Sequence, residues 1–456
     1  MHVSTSRGIK NLSKVSCHIS AGIQLIFHSL SATDREDFIS LSSFISSQQP
    51  KLLRGLSDEE SFLMSFGHLL SEMCAEQCGG IDPDDFYQKC RINAYEVGDA
   101  SNSLRSMMLD IRSNLKFIHD NYDHLGYDTP MGGISLSLLE RINAYFWQGI
   151  SITQIRGSRV IEKEDGHRWK LTRLKDPKEK PFSCPIAIPV VGYNSILSSL
   201  QSVIASEQIV SGYKWDVTPD YIEEEVIIDS KDCIHINGRD LFLNPELQQE
   251  SSSTSDDTSE SSLSSNDDSS SESSSSTSSV SNDDELDMMR DWVTKRVTRP
   301  LRFPKLLFLQ LLRFNYEGVR VQKINSGMNI PYTLDLTGLV ETEPCCIDCY
   351  KYQLSGATVY KSEKRYADEN EDDIGHYFSF MKEEEEDKHQ NYKGDIWKKI
   401  DDEKVSSFLV TNDGSVETDM KVVQERVFVG VLGGKTKKKD TFATILLYKS
   451  KCRCIS

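Results

Sequence analysis

The spacing of hydrophobic residues divides the chain into a helical first part and a strand-rich last part. Ile23, Phe27 and Leu30 recur at the spacing of one helix face, and Ser20 is the predicted N-cap of that helix. Further helices are predicted over residues 59–76 and 100–121. The region up to about residue 132 is therefore predicted to be mainly α-helical.

Beyond about residue 150 the pattern changes to short runs rich in β-branched residues, which is typical of strands. Strands are predicted at residues 150–155, 185–191, 225–228, 306–314, 333–336, 352–360, 377–381, 408–410, 427–431 and 443–448, with a helix at 196–205. Helices first and strands later, with loops between neighbouring strands, favour an α+β fold over a doubly wound sheet.

Residues 248–287 form a tract of Ser, Asp and Glu with almost no bulky side chains and no Lys or Arg. Such a segment buries too little apolar surface to offset its chain entropy, so we predict a disordered insert. Its serines lie next to acids and are candidates for an acid-directed kinase. The alternative is a passive solvated loop.

The charge and cysteine content of the 456-residue chain limit the classes of partner and the cellular compartments that we expect. A net charge of −18 argues against nucleic acid or an anionic membrane surface as a main partner. No apolar run approaches the roughly 20 residues that span a bilayer, so no membrane segment is expected. Eleven scattered cysteines do not form a disulfide framework and favour a reducing compartment. We expect the cytosol, the nucleus or both, and the sequence predicts no oligomeric state.

Two sequence features near the C-terminal end are compatible with acid–base chemistry. Gly375-His376-Tyr377 precedes an apolar strand, and Asp401 lies near the end of a later predicted strand. In an antiparallel pair these strands place Asp401 beside His376, where the carboxylate accepts from the imidazole and fixes its tautomer. Asp402 is a second acidic candidate.

The candidate nucleophile is Cys17, which lies at the start of the first predicted helix. The positive end of a helix and a nearby imidazolium both favour a thiolate. Asn11 lies a few residues upstream, and its amide is a candidate donor to an oxyanion beside the backbone N–H of Cys17. Each feature alone is weak evidence, because a buried structural cysteine or histidine is more common.

The order of these motifs resembles that of the ubiquitin-specific protease family along nearly the whole chain. The cysteine box of the family reads roughly G-L-x-N-L-G-N-T-C-Y-x-N-S-x-L-Q. The matching stretches are residues 8–24 for this box, 97–104 for the Gln-Gln-Asp box, 303–314 for the strand L-P-x-x-L-x-x-x-L-x-R-F, 375–377 for the His box, 397–402 for the Asp box and 442–448 for the closing strand. Several motifs in the right order are more specific than any one of them.

The resemblance implies a papain-like cysteine protease fold with thumb, palm and fingers subdomains. The helical thumb is expected at about residues 1–135, the fingers at 136–300 with the insert 248–287, and the β-rich palm at 301–456. Ubiquitin and ubiquitinated proteins are the implied partners. The implied reaction is thiol-dependent hydrolysis of the peptide or isopeptide bond after the C-terminal glycine of ubiquitin.

The resemblance also implies a role for individual residues. The catalytic set is Cys17 as nucleophile, His376 as general base and acid, Asp401 as its orienting partner and Asn11 in the oxyanion hole. The expected substrate contacts are Asp99, which would meet an arginine of the ubiquitin tail, together with Asn102, Gly375 and Tyr377. Asn102 replaces an acid that is common in the family.

The cysteine box departs from the family pattern in ways that bear on activity. Ser13-Lys14-Val15-Ser16 is one residue longer than the family segment, and His18 replaces the usual aromatic residue. Without the insertion, Ser16 would align with the nucleophile. The register of the following helix favours Cys17 instead. The alternatives are an inactive, ubiquitin-binding scaffold of the same fold and a protease for a ubiquitin-like modifier.

No zinc or other cofactor is expected from the cysteine spacing. Many relatives hold zinc with two Cys-x-x-Cys pairs in the fingers, whereas here that region offers only Cys184 and Cys233. Two other groups are interpreted as structural or incidental thiols: Cys74 with Cys78, and Cys345 with Cys346 and Cys349.

Overall fold

The computed structural model describes the greater part of the chain in separate stretches. These are residues 7–11, 16–49, 55–75, 79–90, 92–94, 96, 98–122, 124–125, 129–162, 168–211, 222–227, 292–317, 320–324, 326–340, 346, 348–362, 375–383, 394–411 and 441–452. The predicted strand at 427–431 and the tract at 248–287 lie outside the described residues.

The chain divides into two compact units. The larger consists of Met1–Ile152, Glu179–Ser206 and Thr298–Ser456, and the smaller of Thr153–Lys178 and Glu207–Val297. All candidate catalytic residues lie in the larger unit. Among the helices that the structure describes, none has the length and apolar character needed to cross a membrane.

Seven α-helices are described, and all belong to the larger unit. They are α1 (Cys17–Ser29), α2 (Ala32–Gln48), α3 (Asp58–Cys74), α4 (Asp84–Lys89), α5 (Ala100–Asn121), α6 (Thr129–Phe146) and α7 (Ile196–Ile204). Capping boxes mark the starts of α2 and α3, where Ser31 pairs with Asp34 and Ser57 with Glu60. The predicted helices at 59–76, 100–121 and 196–205 are confirmed.

Helix α1 is buried along its whole length and begins earlier than its spacing predicts. Its first residue is Cys17, and the backbone N–H groups of Ile19 and Ser20 donate to the carbonyl of Ser16. The predicted N-cap at Ser20 is wrong, because its hydroxyl lies 2.9 Å from the hydroxyl of Tyr87 inside the helix layer. Cys17 therefore occupies the first turn of a buried helix.

The structure describes sixteen strands. They are β1 (Ile150–Glu162), β2 (Arg168–Leu174), β3 (Lys178–Pro181), β4 (Ile186–Pro189), β5 (Glu207–Ile209), β6 (Ile222–Ile227), β7 (Val293–Arg302), β8 (Leu306–Leu312), β9 (Phe314–Glu317), β10 (Arg320–Lys323), β11 (Thr333–Asp335), β12 (Lys351–Ser362), β13 (Gly375–Lys382), β14 (Gly394–Asp401), β15 (Lys404–Thr411) and β16 (Thr441–Ser450). Apart from 427–431, each predicted strand corresponds to one of these, and the α+β fold class is confirmed.

The main sheet of the larger unit has the order β15-β14-β13-β12-β16-β8-β4, with β11 paired to β12. All its neighbours are antiparallel except β4 and β8, which are parallel. The last described strand in sequence, β16, therefore lies between β12 and β8. A short turn joins β14 to β15, whereas β16 pairs with β12 and β8, which lie much earlier in the sequence.

Both faces of this sheet are buried, as the alternation along β8 illustrates. Leu306 and Phe308 pack into a core shared with α1, α5 and α6. Leu307 and Leu309 point to a second core that includes Leu200 of α7. Burial on two faces explains why these strands appear as continuous hydrophobic runs and not as an alternating pattern.

The smaller unit contains a sheet of order β5-β7-β1-β2-β6. β1 and β2 pair antiparallel from Arg156 opposite Leu174 to Glu162 opposite Arg168. Strand β6 adds to the other edge of β2. The thumb, palm and fingers boundaries stay predictions.

Candidate active site

Strands β13 and β14 bring the candidate histidine to the first of the two candidate acids. The strands pair antiparallel with Ser379 opposite Ile400, so the start of β13 lies beside the end of β14. Nε2 of His376 is 2.6 Å from Oδ1 of Asp401. The pair is partly shielded, with side-chain exposures of 20% and 31%.

Both members of this pair are held in their charged forms. The hydrogen bond to Asp401, and then one to Cys17, raise the pKa of His376 to about 10, although burial acts in the opposite direction. The bond to His376 holds the pKa of Asp401 well below its ordinary value, and Lys399 adds to this effect. Near neutral pH the pair is therefore an imidazolium and a carboxylate.

The thiol of Cys17 lies against the start of β13. Its Sγ accepts from the backbone N–H of Tyr377 at 3.5 Å. Because Nε2 of His376 faces Asp401, Nδ1 is the ring nitrogen left for the hydrogen bond to Cys17. The side chain is buried at 4% exposure and lies at the positive end of α1.

Ser16, the alternative nucleophile, is engaged elsewhere. Its side chain is 0% exposed. Its backbone N–H and its hydroxyl donate to Oδ1 of Asn11 at 3.1 and 2.9 Å. Ser16 is therefore bonded to Asn11, whereas Cys17, one residue later, is bonded to His376.

The second candidate acid, Asp402, is hydrogen-bonded to Asn11, whereas His376 is hydrogen-bonded to Asp401. Nδ2 of Asn11 donates to Oδ2 of Asp402 at 3.2 Å, and the N–H of Ile9 donates to the Asp402 carbonyl at 3.0 Å. A Cβ on Gly8 would lie 2.3 Å from that carbonyl oxygen. Glycine at this position therefore permits the close approach that places Asn11 at the site.

Asp402 itself has an unusual environment in the turn between β14 and β15. Its φ of 53° lies in the left-handed region, which aspartate tolerates better than most residues. Burial raises the pKa of its carboxyl. Its Oδ1 is buried and has no hydrogen-bond partner among the described residues. Together with Cys17 and Gln24 it lines a small pocket beside the thiol.

The sequence model of the ubiquitin carboxyl-terminal hydrolase family matches residues 7–448. The match includes the contacting Cys17, His376 and Asp401. The chain belongs to the ubiquitin carboxyl-terminal hydrolase family. A search of curated proteins found no match. Membership implies cysteine-type deubiquitinating chemistry that acts on ubiquitin and ubiquitinated substrates.

In this hydrolase Asp99 is the N-cap of α5. Its Oδ1 accepts from the backbone N–H groups of Ser101 and Asn102 at 2.7 and 3.2 Å. Both bonds use the same oxygen, and the residue is half-buried. The side chain of Asn102 is exposed one turn into the helix.

Two departures of this hydrolase from the family boxes fit one another. A Cβ on Gly98 would lie 2.4 Å from Nε2 of His18, whose side chain is 2% exposed. The imidazole of His18 thus occupies the space that a side chain at position 98 would need. The histidine after Cys17 and the glycine before Asp99 therefore pack directly against each other.

Gly375 and Tyr377, two expected substrate contacts, have packing roles. A Cβ on Gly375 would lie within 1.9 Å of the Tyr360 ring, so no larger residue fits without a shift. The Tyr377 ring is 6% exposed and 5.1 Å from the Tyr360 ring.

Sequence reasoning missed two residues that support the histidine. Nζ of Lys399 is 2.6 Å from Oδ2 of Asp401 and 4.5 Å from the centre of the Phe378 ring. Phe378 in turn stacks on His376, with ring centres 6.3 Å apart. The signal was present, since residues i and i+2 share a strand face.

Among the described residues of the expected fingers, Cys184 is poorly suited to binding zinc. The thiol of Cys184 is buried beside the sulfur of Met108 at 4.0 Å, and burial raises its pKa. A thiol in such surroundings is a poor zinc ligand, because the metal needs a thiolate. Cys233 lies outside the described residues.

Proposed function

We propose that this hydrolase is an active deubiquitinase that cleaves the peptide or isopeptide bond after the C-terminal glycine of ubiquitin. The observation that supports this is the chain of contacts from Cys17 through His376 to Asp401. The buried thiol, the protonated imidazole and the carboxylate together form the set that activates a cysteine nucleophile.

In the first half of the reaction the Cys17 thiolate attacks the carbonyl carbon of the terminal glycine. His376 transfers its proton to the leaving amine as the C–N bond breaks. Ubiquitin remains attached to Cys17 as a thioester, and His376 is neutral. Asp401 keeps the proton on Nε2 of His376, so Nδ1 stays aimed at the reacting atoms.

In the second half water hydrolyses the thioester. Neutral His376 takes a proton from water, and the hydroxyl attacks the thioester carbonyl. The C–S bond breaks, ubiquitin is released as its carboxylic acid, which loses a proton to solvent, and Cys17 leaves as a thiolate beside the imidazolium. The starting state is restored without a further reactant.

The oxyanion of both steps would be stabilised by Asn11 and the backbone N–H of Cys17. Nδ2 of Asn11 carries two hydrogens, and the bond to Asp402 uses one of them. The bonds from Ser16 to Oδ1 and from Nδ2 to Asp402 hold the amide in one orientation. A donor fixed before the reaction is the kind that stabilises developing charge most.

Asp99 would bind the ubiquitin tail. Its Oδ1 accepts both helix-cap hydrogen bonds, and we expect its Oδ2 to accept from a guanidinium of the tail. Asn102, one turn along α5, would add an uncharged contact. The proposed partners are ubiquitin and ubiquitinated proteins, and location in the cytosol or nucleus stays a prediction.

The alternative is an inactive scaffold that binds ubiquitin, which the longer cysteine loop would explain. The Asn11–Ser16 bonds bear on this, because they join the two described residues on either side of the longer segment. These bonds hold the Asn11 amide beside the residue that precedes Cys17. The contacts therefore favour the active enzyme.

Covalent capture by ubiquitin with an electrophilic C-terminus tests the proposal. We expect the unmodified protein and Ser16→Ala to form a stable adduct, and Cys17→Ala to form none. The adduct is measured by intact mass and mapped by peptide sequencing. Probes made from ubiquitin-like modifiers are used in parallel.

Three outcomes would contradict the proposal. Binding without capture would support the scaffold. Capture by Cys17→Ala that is lost in Ser16→Ala would move the nucleophile by one residue. Faster capture by another modifier than by ubiquitin would change the substrate class.

A further inference from the structure

Three cysteines outside the candidate catalytic set lie together at one end of the main sheet. The Sγ atoms of Cys346, Cys349 and Cys452 are 3.4 to 3.5 Å apart in all three pairings. Their sulfurs form the only all-cysteine group of ligand spacing among the described residues. A disulfide bond of about 2.05 Å is much shorter than these separations.

The sheet register explains why a residue 106 positions away joins a Cys-x-x-Cys turn. The turn from Cys346 to Cys349 leads directly into β12, and Cys452 follows β16. β12 and β16 pair antiparallel from Tyr352 opposite Ser450, and the N–H of Lys451 donates to the Lys351 carbonyl at 2.9 Å. The end of β16 is therefore fixed beside the start of β12.

The separations match a metal centre better than they match packed thiols. A tetrahedron with Zn–S bonds of about 2.3 Å has S···S edges of about 3.8 Å. The observed triangle is only about 0.3 Å tighter than that face, so a small outward shift of the sulfurs admits an ion. Three thiolates at one point would repel one another without a cation, whereas soft thiolates select zinc among the common divalent ions.

We propose that Cys346, Cys349 and Cys452 bind a structural zinc ion that joins the start of β12 to the end of β16. The thiols release their protons to solvent as the metal binds, and a fourth donor completes the tetrahedron. This site differs from the fingers zinc of the family, and it revises the interpretation of Cys346 and Cys349 as incidental thiols.

Such a zinc ion would link two chain segments that are more than 100 residues apart in sequence. The chain between Cys349 and Cys452 contains β12 to β16, and with them His376 and Asp401. Metal binding to the folded form alone adds directly to the stability of the fold. The zinc would therefore hold together the sheet on which the histidine is carried.

The unmodified full-length protein, purified under reducing conditions, provides the first test. We expect about one zinc per chain by elemental analysis. Differential alkylation should show Cys346, Cys349 and Cys452 protected until a strong chelator is added, whereas exposed Cys74 reacts with or without it. Chelation should also lower Tm, and added zinc should restore it. Protein without zinc that also takes up none, or equal alkylation of the three cysteines in both states, would overturn the proposal.

Single substitutions provide the second test, with a matched control. Cys346→Ser, Cys349→Ser and Cys452→Ser should each lose most of the zinc, and Cys74→Ser should retain it. With Co²⁺ in place of zinc, thiolate-to-metal absorption bands should appear in the unmodified protein and in Cys74→Ser. Zinc retained at full stoichiometry in the three variants would contradict the assignment. The metal measurements do not depend on ubiquitin cleavage, so their outcome is distinguishable from that of the proposed function.

Discussion

His376 forms two hydrogen bonds that favour its protonated state, one with a carboxylate and one with a thiol. Nζ of Lys399 donates to Oδ2 of Asp401, the carboxylate oxygen that does not contact His376. The charges thus alternate along β14 and β13, from ammonium to carboxylate to imidazolium. Each charge stabilises the opposite charge beside it. Of these three groups, removal of the Asp401 carboxylate is therefore expected to lower the pKa of His376 most.

Asp401→Asn should move the alkaline limit of activity to lower pH. The folded pKa of His376 is raised to about 10, mainly by Asp401, so the proton needed by the leaving amine is lost only as pH rises through that value. An amide at position 401 removes the charge, and the loss begins nearer the ordinary histidine pKa of about 6.5. We also expect kcat to fall on the order of a hundredfold or more.

The measurement is kcat/KM against pH with ubiquitin carrying a fluorogenic amide. The quantity compared is the shift of the alkaline limit between the unmodified protein and Asp401→Asn. Asp335→Asn, which removes a carboxylate from β11 of the same sheet, is the control. An alkaline limit that stays unchanged in Asp401→Asn would argue against the imidazolium role.

Asp99 has two separable functions, and two substitutions divide them. Asp99→Asn keeps an N-cap acceptor, so Tm should change little, while KM for ubiquitin should rise about tenfold through loss of a charge-assisted pair. Asp99→Ala should raise KM similarly and also cost about 1 kcal/mol of the free energy of unfolding. Steady-state kinetics and thermal melts measure both. An unchanged KM in Asp99→Asn would limit the residue to capping.

The segment from Gly8 to Asn11 is held against the turn between β14 and β15. The N–H of Ile9 donates to the Asp402 carbonyl, the N–H of Lys10 donates to the Ile81 carbonyl, and the Asn11 amide donates to the Asp402 carboxylate. This pairing brings the first described residues of the chain to the strand that carries Asp401. The geometry of the oxyanion donor is therefore set by an approach of two backbones.

Gly8→Ala should displace this segment and reduce catalysis. The new Cβ would meet backbone atoms of Asp402 and Glu403 at 2.3 to 2.6 Å, and backbone cannot rotate aside as a side chain does. A displacement of about 1 Å at Asn11 is expected to lower kcat on the order of a hundredfold. Single-turnover kinetics measures this step.

The control is Gly338→Ala, where a Cβ meets nothing within 4 Å. This variant should retain activity. A fully active Gly8→Ala would show that the position of Asn11 does not limit the reaction.

Elements with local signals were predictable from the sequence, and contacts between distant elements were not. The spacing along α5 and the apolar run of β16 gave their type and approximate bounds. The start of α1 was missed because the Ser20 hydroxyl bonds to Tyr87, which is remote in sequence. Asp401 and Asp402 are adjacent in sequence but have different partners. Asp401 ends β14 and bonds to His376, whereas Asp402 lies in the following turn and bonds to Asn11.

The same limit applies to the cysteines and to the charged strands. Cys452 joins Cys346 through the register of two strands, which no local pattern contains. β2 and β7 were not predicted, because their Lys and Arg residues hide the apolar alternation. The candidate triad could be predicted only from the order of the family motifs, because no local pattern shows that Cys17, His376 and Asp401 are close in space.

At the scale of the whole molecule, the two cores of the larger unit account for the burial of the catalytic sheet. One core joins the helices to the sheet, and the other joins α7 to its opposite face. The predicted insert at 248–287 falls within the sequence range of the smaller unit. Its composition offers few residues that could join either core.

Deleting residues 248–287 should leave Tm within a few degrees of the unmodified protein. Little apolar burial is lost, and a long flexible loop becomes shorter, which favours folding slightly. Differential scanning calorimetry and a ubiquitin capture assay measure stability and site integrity together. A large fall in Tm would mean that the tract packs on the folded protein.

The place of β16 between β12 and β8 has a consequence for synthesis of the chain. Until residue 450 has left the ribosome, the edges of β8 and β12 that β16 will join have no strand between them, and both are strongly apolar. Such edges invite pairing with other chains. The nascent chain is thus exposed to aggregation until β16 pairs with both β8 and β12.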